Sequence, residues 1–215
     1  MTTNGIHQGQ SVVAAGRPLA EAKAAMIMIH GRGATAESIL TLAAELPHPD
    51  MAYLAPQAAG NTWYPYSFLS PIELNEPWLS SALEVISALV ATIEEAGIPA
   101  GRIIIGGFSQ GACLSSEFVA RHARRYGGLF AYSGGLIGPD GTPRDYAGSL
   151  EETPVFLGCS DVDPHIPLER VQLSTEVLRN LGGRVTERIY RGMGHTINQD
   201  EIEAVREMIK LLDLS

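Results

Sequence analysis

Cysteine is scarce: the 215-residue chain carries only Cys113 and Cys159. Two thiols so far apart form neither a disulfide framework nor a zinc-ligand set, and both are expected to be reduced core residues. Basic residues are also in deficit, 15 Lys and Arg against 24 Asp and Glu, for a net charge of −9. That charge repels phosphate backbones and anionic lipid, which argues against nucleic acid and stable membrane association. Apolar runs are short, interrupted by Gly, Pro or charge well before the roughly 18 residues a bilayer span needs. Met1 to Gln10 holds no basic stretch followed by an apolar one. No secretory signal is therefore visible, and a cytoplasmic location is the expectation. Sequence repeats and low-complexity linkers are missing as well, so residues 1–215 are expected to form one domain. Neither an HExxH motif nor a His, Asp or Cys cluster at ligand spacing occurs, so no metal is expected.

What is present is a chain 45% hydrophobic and 18% charged. A chain this long can bury roughly 70% of its unfolded surface without covalent staples. Short aliphatic runs alternate with longer segments whose apolar residues recur at three- and four-residue spacing, which predicts an α/β fold around a mostly parallel sheet. The expected strands are Gln10 to Ala15, Ala24 to His30, Met51 to Ala55, Arg102 to Gly107, Gly128 to Ser133, Pro154 to Cys159 and Arg184 to Arg191. Runs such as "AAMIMIH" and "PVFLGC" suit strands covered on both faces, whereas Gln10 to Ala15 has the mixed character of an edge. Helices are expected near Thr35 to Leu46, Leu79 to Ala96, Gln110 to Arg124, Leu168 to Leu181 and Asn198 to Leu212. Gly97 and Gly182 mark helix stops, and Asn198 with Glu201 resembles a capping pair. Two long segments, 57–77 and 134–153, resist assignment; loops of that length commonly wall binding sites.

The strongest local signal is "GFSQG" at residues 107–111, a G-x-S-x-G placed between a strand pattern and a helix pattern. A serine on such a sharp turn presents its oxygen beside a helix N-terminus, where negative charge can be stabilised. Ser109 is thus the candidate nucleophile. Its hydroxyl needs a base, and the base needs a carboxylate that fixes its tautomer. Downstream, "GCSDVDPHIP" follows one strand and "RGMGHTI" another. His195 is the expected base and Asp163, next to Pro164, the expected acid, with Asp161 as competitor. His165 is read as a loop residue, and His7, His48 and His122 as solvated. Oxyanion donors are expected from the N–H of Gln110 and from that of Arg32 in "HGRGA". The Arg32 side chain is expected in a surface ion pair, with the pocket mouth as the alternative. Trp63, Tyr64, Tyr66, Phe68, Leu69 and Trp78 concentrate in one loop and are the expected pocket wall, with a loop packed onto the core as the alternative. From Gly33 to Gly101 there are eight acidic residues and no Lys or Arg, so a neutral substrate headgroup is expected there.

With "MIMIHGRG", "IIIGGFSQGA", "DVDPHIP" and "GMGHTI" in this order, the chain resembles the phospholipase/carboxylesterase family of small α/β-hydrolases, acyl-protein thioesterases and bacterial carboxylesterases among them. The likeness spans nearly the whole chain. It implies a sheet of about seven strands flanked by helices, no separate cap domain, and hydrolysis through an acyl-enzyme without a cofactor. Small carboxylic esters are the expected substrates. An acyl-protein or lysophospholipid (thio)esterase is the alternative, a non-catalytic ligand-binding homologue is the rival from another class, and a homodimer stays open.

Overall fold

The computed structural model describes residues 5–212 and 214. Seven strands form one sheet in the order β1-β3-β2-β4-β5-β6-β7. They are β1 (Val12–Gly16), β2 (Ala24–Ile29), β3 (Met51–Pro56), β4 (Ile103–Phe108), β5 (Gly128–Tyr132), β6 (Pro154–Ser160) and β7 (Arg184–Tyr190). Only β1 runs antiparallel, paired with β3 at the edge. All other pairings are parallel. Successive parallel strands need crossovers, supplied by α1 (Ala36–Leu40), α2 (Trp78–Glu95), α3 (Gln110–Arg121) and α4 (Leu168–Asn180); residues 133–153 join β5 to β6 without a helix, and α5 (Gln199–Lys210) follows β7.

Two-residue periodicity divides the core into layers. Along β2, Ala25, Ile27 and Ile29 join the apolar cluster that holds α2 and α3, while Ala24, Met26 and Met28 join the one that holds α1 and α5. The strand is therefore apolar on both faces, as its continuous run predicts. On α2, Leu79, Ala82, Leu83, Ile86, Val90 and Ile93 follow the helical stripe and are buried. Each of the Leu, Ile and Val side chains contributes about 1.5–3 kcal/mol of burial free energy.

The first helix is shorter than expected. It starts with a Thr35/Ser38 capping box, ends at Leu40 and continues only as a 3-10 turn over Thr41–Ala44. α3 likewise stops at Arg121, before the expected Arg124. Parallel pairing brings the C-terminal ends of β2, β4, β6 and β7 to one rim of the sheet, where open α/β sheets bind ligands.

Candidate active site

Ser109 occupies the single-residue turn between β4 and α3 with φ 56° and ψ −119°. A non-glycine residue in such a region carries strain of about 1–3 kcal/mol and persists only when its surroundings enforce it. The enforcement comes from its glycines. A Cβ on Gly107 would lie 2.2 Å from the Ile29 carbonyl oxygen, and one on Gly111 would lie 2.0 Å from the same atom. The turn can thus press against the end of β2 only with glycine at both positions. Its backbone is further held by the Ser109 N–H, which donates to the Tyr132 carbonyl at 2.9 Å.

Two loops meet this turn. The loop after β6 presents Asp163, and the loop after β7 presents His195. The Ser109 Oγ lies 2.8 Å from His195 Nε2, and His195 Nδ1 lies 2.7 Å from Asp163 Oδ2. In the neutral imidazole that fits these partners, Nδ1–H donates to the carboxylate and Nε2 accepts from the hydroxyl. The Asp163 carboxylate is fully buried. Burial pushes its pKa up, but the hydrogen bond from His195 and those from the His165 and Ile166 N–H groups outweigh it and hold the carboxyl below its ordinary value. Those two N–H groups donate to Oδ1 at 2.8 and 3.0 Å. The Cys159 thiol adds a weak contact, 3.7 Å from Oδ2; burial and the neighbouring charge of Asp163 push that thiol up to about 12.

Asp161, the competitor, points elsewhere: its Oδ1 accepts from the Gly192 N–H at 2.8 Å. Together with Ser160 Oγ, which accepts from the Gly194 N–H at 3.1 Å, it ties the two loops to each other. Past His195, an Asn198/Glu201 capping box starts α5. The Glu201 side chain is buried, with Oε2 accepting from the Asn198 N–H at 2.9 Å and Oε1 unpartnered. Burial, reinforced by Asp200, pushes it up to about 7.

A cleft of about 500 Å³ opens over Ser109, and Arg32, Gln110, Tyr64, Tyr66 and Phe68 line it. Gln110 is the first residue of α3, where N–H groups lack intrahelical acceptors. The Arg32 N–H has no acceptor among the backbone hydrogen bonds of the turns and loops. Both are thus available to an oxyanion. Among the described residues the expected ion pair of Arg32 is not formed; its guanidinium donates to Thr62 Oγ1 and to the carbonyls of Pro65 and Tyr66 at the cleft mouth.

Half of the expected wall faces away from the cleft. Trp63 is fully buried and its indole N–H donates to the His30 carbonyl at 3.0 Å. Leu69 and Trp78 pack against the core. Their apolar mass serves the loop's attachment, since a loop this long must bury side chains of its own. His7, expected in solvent, is 1% exposed: it accepts from the Ala59 N–H through Nδ1, faces the Trp63 carbonyl through Nε2, and burial lowers its pKa. His165 turns from bland loop residue to cleft residue, its ring edge-on to His195 with centroids 4.8 Å apart. Phe108 and Cys113 also reach the cleft unforeseen. Cys113 lies four residues past Ser109, one helical turn along α3, and that spacing was the signal for it.

Known proteins resemble this chain over much of its length. A profile of the phospholipase/carboxylesterase family matches residues 8–213. The crystal structure of a phospholipase/carboxylesterase from Dyadobacter fermentans is 45% identical, covers 94% of this chain and 97% of that one, and superposes with a TM-score of 0.90. Zea mays acyl-protein thioesterase 2 shares the fold at 20% identity, with a TM-score of 0.74 over 96% of this chain and all (100%) of that one. Acyl-protein thioesterase 1 of Gibberella zeae is 31% identical over 122 residues, 54% of this chain and 50% of that protein. The matched region spans about half the length of that curated relative. Motif order, sheet topology and the full-length match lead to one conclusion: the chain belongs to the phospholipase/carboxylesterase family of α/β-hydrolases.

Proposed function

We propose that the protein is a serine hydrolase that cleaves small carboxylic esters through an acyl-enzyme. The observation that carries this reading is the unbroken chain from Ser109 Oγ through His195 to the buried Asp163 carboxylate, at 2.8 and 2.7 Å. His195 Nε2 takes the hydroxyl proton as Oγ bonds to the ester carbonyl carbon, and Asp163 stabilises the imidazolium. The carbonyl oxygen becomes an oxyanion and is met by the N–H groups of Arg32 and Gln110. The tetrahedral adduct collapses, the C–O bond to the alcohol breaks, and the imidazolium returns its proton to the leaving oxygen. Water then repeats the sequence on the acyl-enzyme and releases the acid.

The aromatic wall of Tyr64, Tyr66 and Phe68 suits a short acyl or aryl group, and among the described residues no carboxylate of Asp or Glu lines the cleft. A second reading, acyl-protein thioesterase, is favoured by the names of the curated relatives. Ser109→Ala tests the mechanism. Turnover of a p-nitrophenyl butyrate should fall by about 10⁴-fold or more with the fold intact, and near-normal turnover refutes the assignment. Relative kcat/KM for that ester and for a palmitoyl thioester separates the two substrate classes. A wild-type protein that takes no label from a fluorophosphonate supports the non-catalytic rival.

A further inference from the structure

Resting on that hydrolase reading, we propose that the Thr62 hydroxyl is the keystone of a brace that sets the geometry of the oxyanion hole. The two residues whose N–H groups face the oxyanion both send their side chains into one short loop segment, 62–66. Arg32 donates from Nη1 to Thr62 Oγ1 at 3.1 Å and to the Pro65 carbonyl at 2.8 Å, and from Nη2 to the Tyr66 carbonyl at 2.6 Å. Gln110 accepts at Oε1 from the Trp63 N–H at 2.8 Å and donates from Nε2 to the Tyr64 carbonyl at 2.8 Å. Thr62 Oγ1 stands between them: it accepts from Arg32 and offers its one proton to Gln110 Oε1 at 3.3 Å and to the Tyr64 carbonyl at 3.2 Å.

The hole needs such a tie. The Gln110 N–H is fixed by the strained serine turn and by α3, but the Arg32 peptide sits between Gly31 and Gly33, and Gly33 has φ +74° and no atom within 4 Å of where its Cβ would be. Within the turn, the Gly31 carbonyl accepts from the Ala34 N–H at 3.2 Å and lies 2.8 Å from His30 Nδ1. The Gly33 N–H, which donates to the Asn61 carbonyl at 2.7 Å, and the Arg32 side chain tie this turn to the loop. Among the described residues the guanidinium makes no salt bridge and is spent on neutral acceptors in a fixed fork, an arrangement that fixes orientation. Donors must lie within a few tenths of an ångström of the developing oxyanion to act, and misplacement by about 1 Å can cost on the order of 10²-fold. Thr62 is a positioning residue in this account and touches no reacting atom.

The test is steady-state kinetics of Thr62→Val and Thr62→Ser on p-nitrophenyl acetate and butyrate. Valine keeps the shape and removes the link; it should lower kcat about tenfold on both esters, with KM within about twofold and the apparent pKa of the rate profile unmoved. Serine should restore kcat. Arg32→Met, which keeps its backbone N–H and changes an exposed side chain, should reproduce the valine signature and covers the case in which Thr62→Val does not fold. Wild-type kcat in Thr62→Val, a loss confined to KM, or a Thr62→Ser enzyme as slow as the valine variant overturns the brace. Those outcomes in an enzyme that still labels with a fluorophosphonate leave the hydrolase reading standing. Absence of labelling in the wild type removes the premise and the brace together.

Discussion

The cleft has two sides built on different physics. On one side, the Ser109 turn is held by contacts between main-chain atoms: Gly107 and Gly111 bring it against the Ile29 carbonyl, and no side chain beyond a hydrogen atom is accommodated at either position. Facing it, the 57–77 segment contains no strand or α-helix, only 3-10 turns at Ala59–Asn61 and Ile72–Asn75. That segment is tethered by polar side chains, Arg32 and Gln110 from the site and His7 from elsewhere, and its own Asn75 bridges it internally. The first side places the reacting atoms with little tolerance. The second is set by individual hydrogen bonds, so a substitution there shifts the wall while the main-chain contacts of the serine turn stay in place.

The largest expected effect lies on the rigid side. Asp163→Asn keeps the loop but loses the carboxylate that fixes the His195 tautomer, and kcat should fall about 10⁴-fold. Asp161→Asn retains an oxygen for the Gly192 N–H and should cost less than about tenfold; the reverse ranking in kinetic assays would move the acid's role. Gly111→Ala should cost about 3 kcal/mol or more in urea unfolding, because the added Cβ meets carbonyl oxygen and carbon atoms of Ile29 and His30 that cannot step aside. A wild-type midpoint would show that this side is not sterically set.

Glu201 probes the same side through charge. Its folded pKa, about 7, lies above the ordinary 4.5, so between those values the unfolded chain releases a proton that the native state keeps. The stability linked to this group is intact below pH 4.5 and lost as pH rises through 7, by about 3 kcal/mol. Glu201→Gln should flatten that slope, so that its melting temperature gains on the wild type at pH 8 relative to pH 5. The smallest effect belongs to the tethered side. Asn75→Ala strips partners from the Tyr66 N–H and the Ser67 carbonyl, for about 1–2 kcal/mol, and should raise KM more than it lowers kcat. A change mainly in kcat would mean that the two sides are more tightly coupled than the brace alone provides.

Legibility follows the same division. Ser109, Asp163 and His195 stand out because each sits where a strand pattern breaks into glycine, proline or small polar residues, and parallel pairing carries such breaks to a common rim. The choice of Asp163 over Asp161 was legible in Pro164, although the two N–H bonds to its Oδ1 were not. The wall was half legible: an aromatic cluster announces that something is covered, but Trp63 and Trp78 cover the core and Tyr64 and Phe68 the cleft, and composition is the same for both uses. His7 was misread because a histidine in a polar N-terminal stretch carries no local mark of burial; its partners at Ala59, Trp63 and Ser81 lie more than fifty residues away.

The order of strands and helices, the placement of Ser109 on a turn and the identity of the two polar groups aligned with it, His195 and Asp163, were determined by the sequence alone, since they depend on periodicity and on the steric demands of a few adjacent residues. Which aromatics line the cleft, where the Arg32 guanidinium goes and how Thr62 comes to stand between Arg32 and Gln110 were decided by the tertiary structure. Those outcomes depend on which hydrogen-bond partners long-range packing leaves unsatisfied within reach, and local sequence carries no record of that.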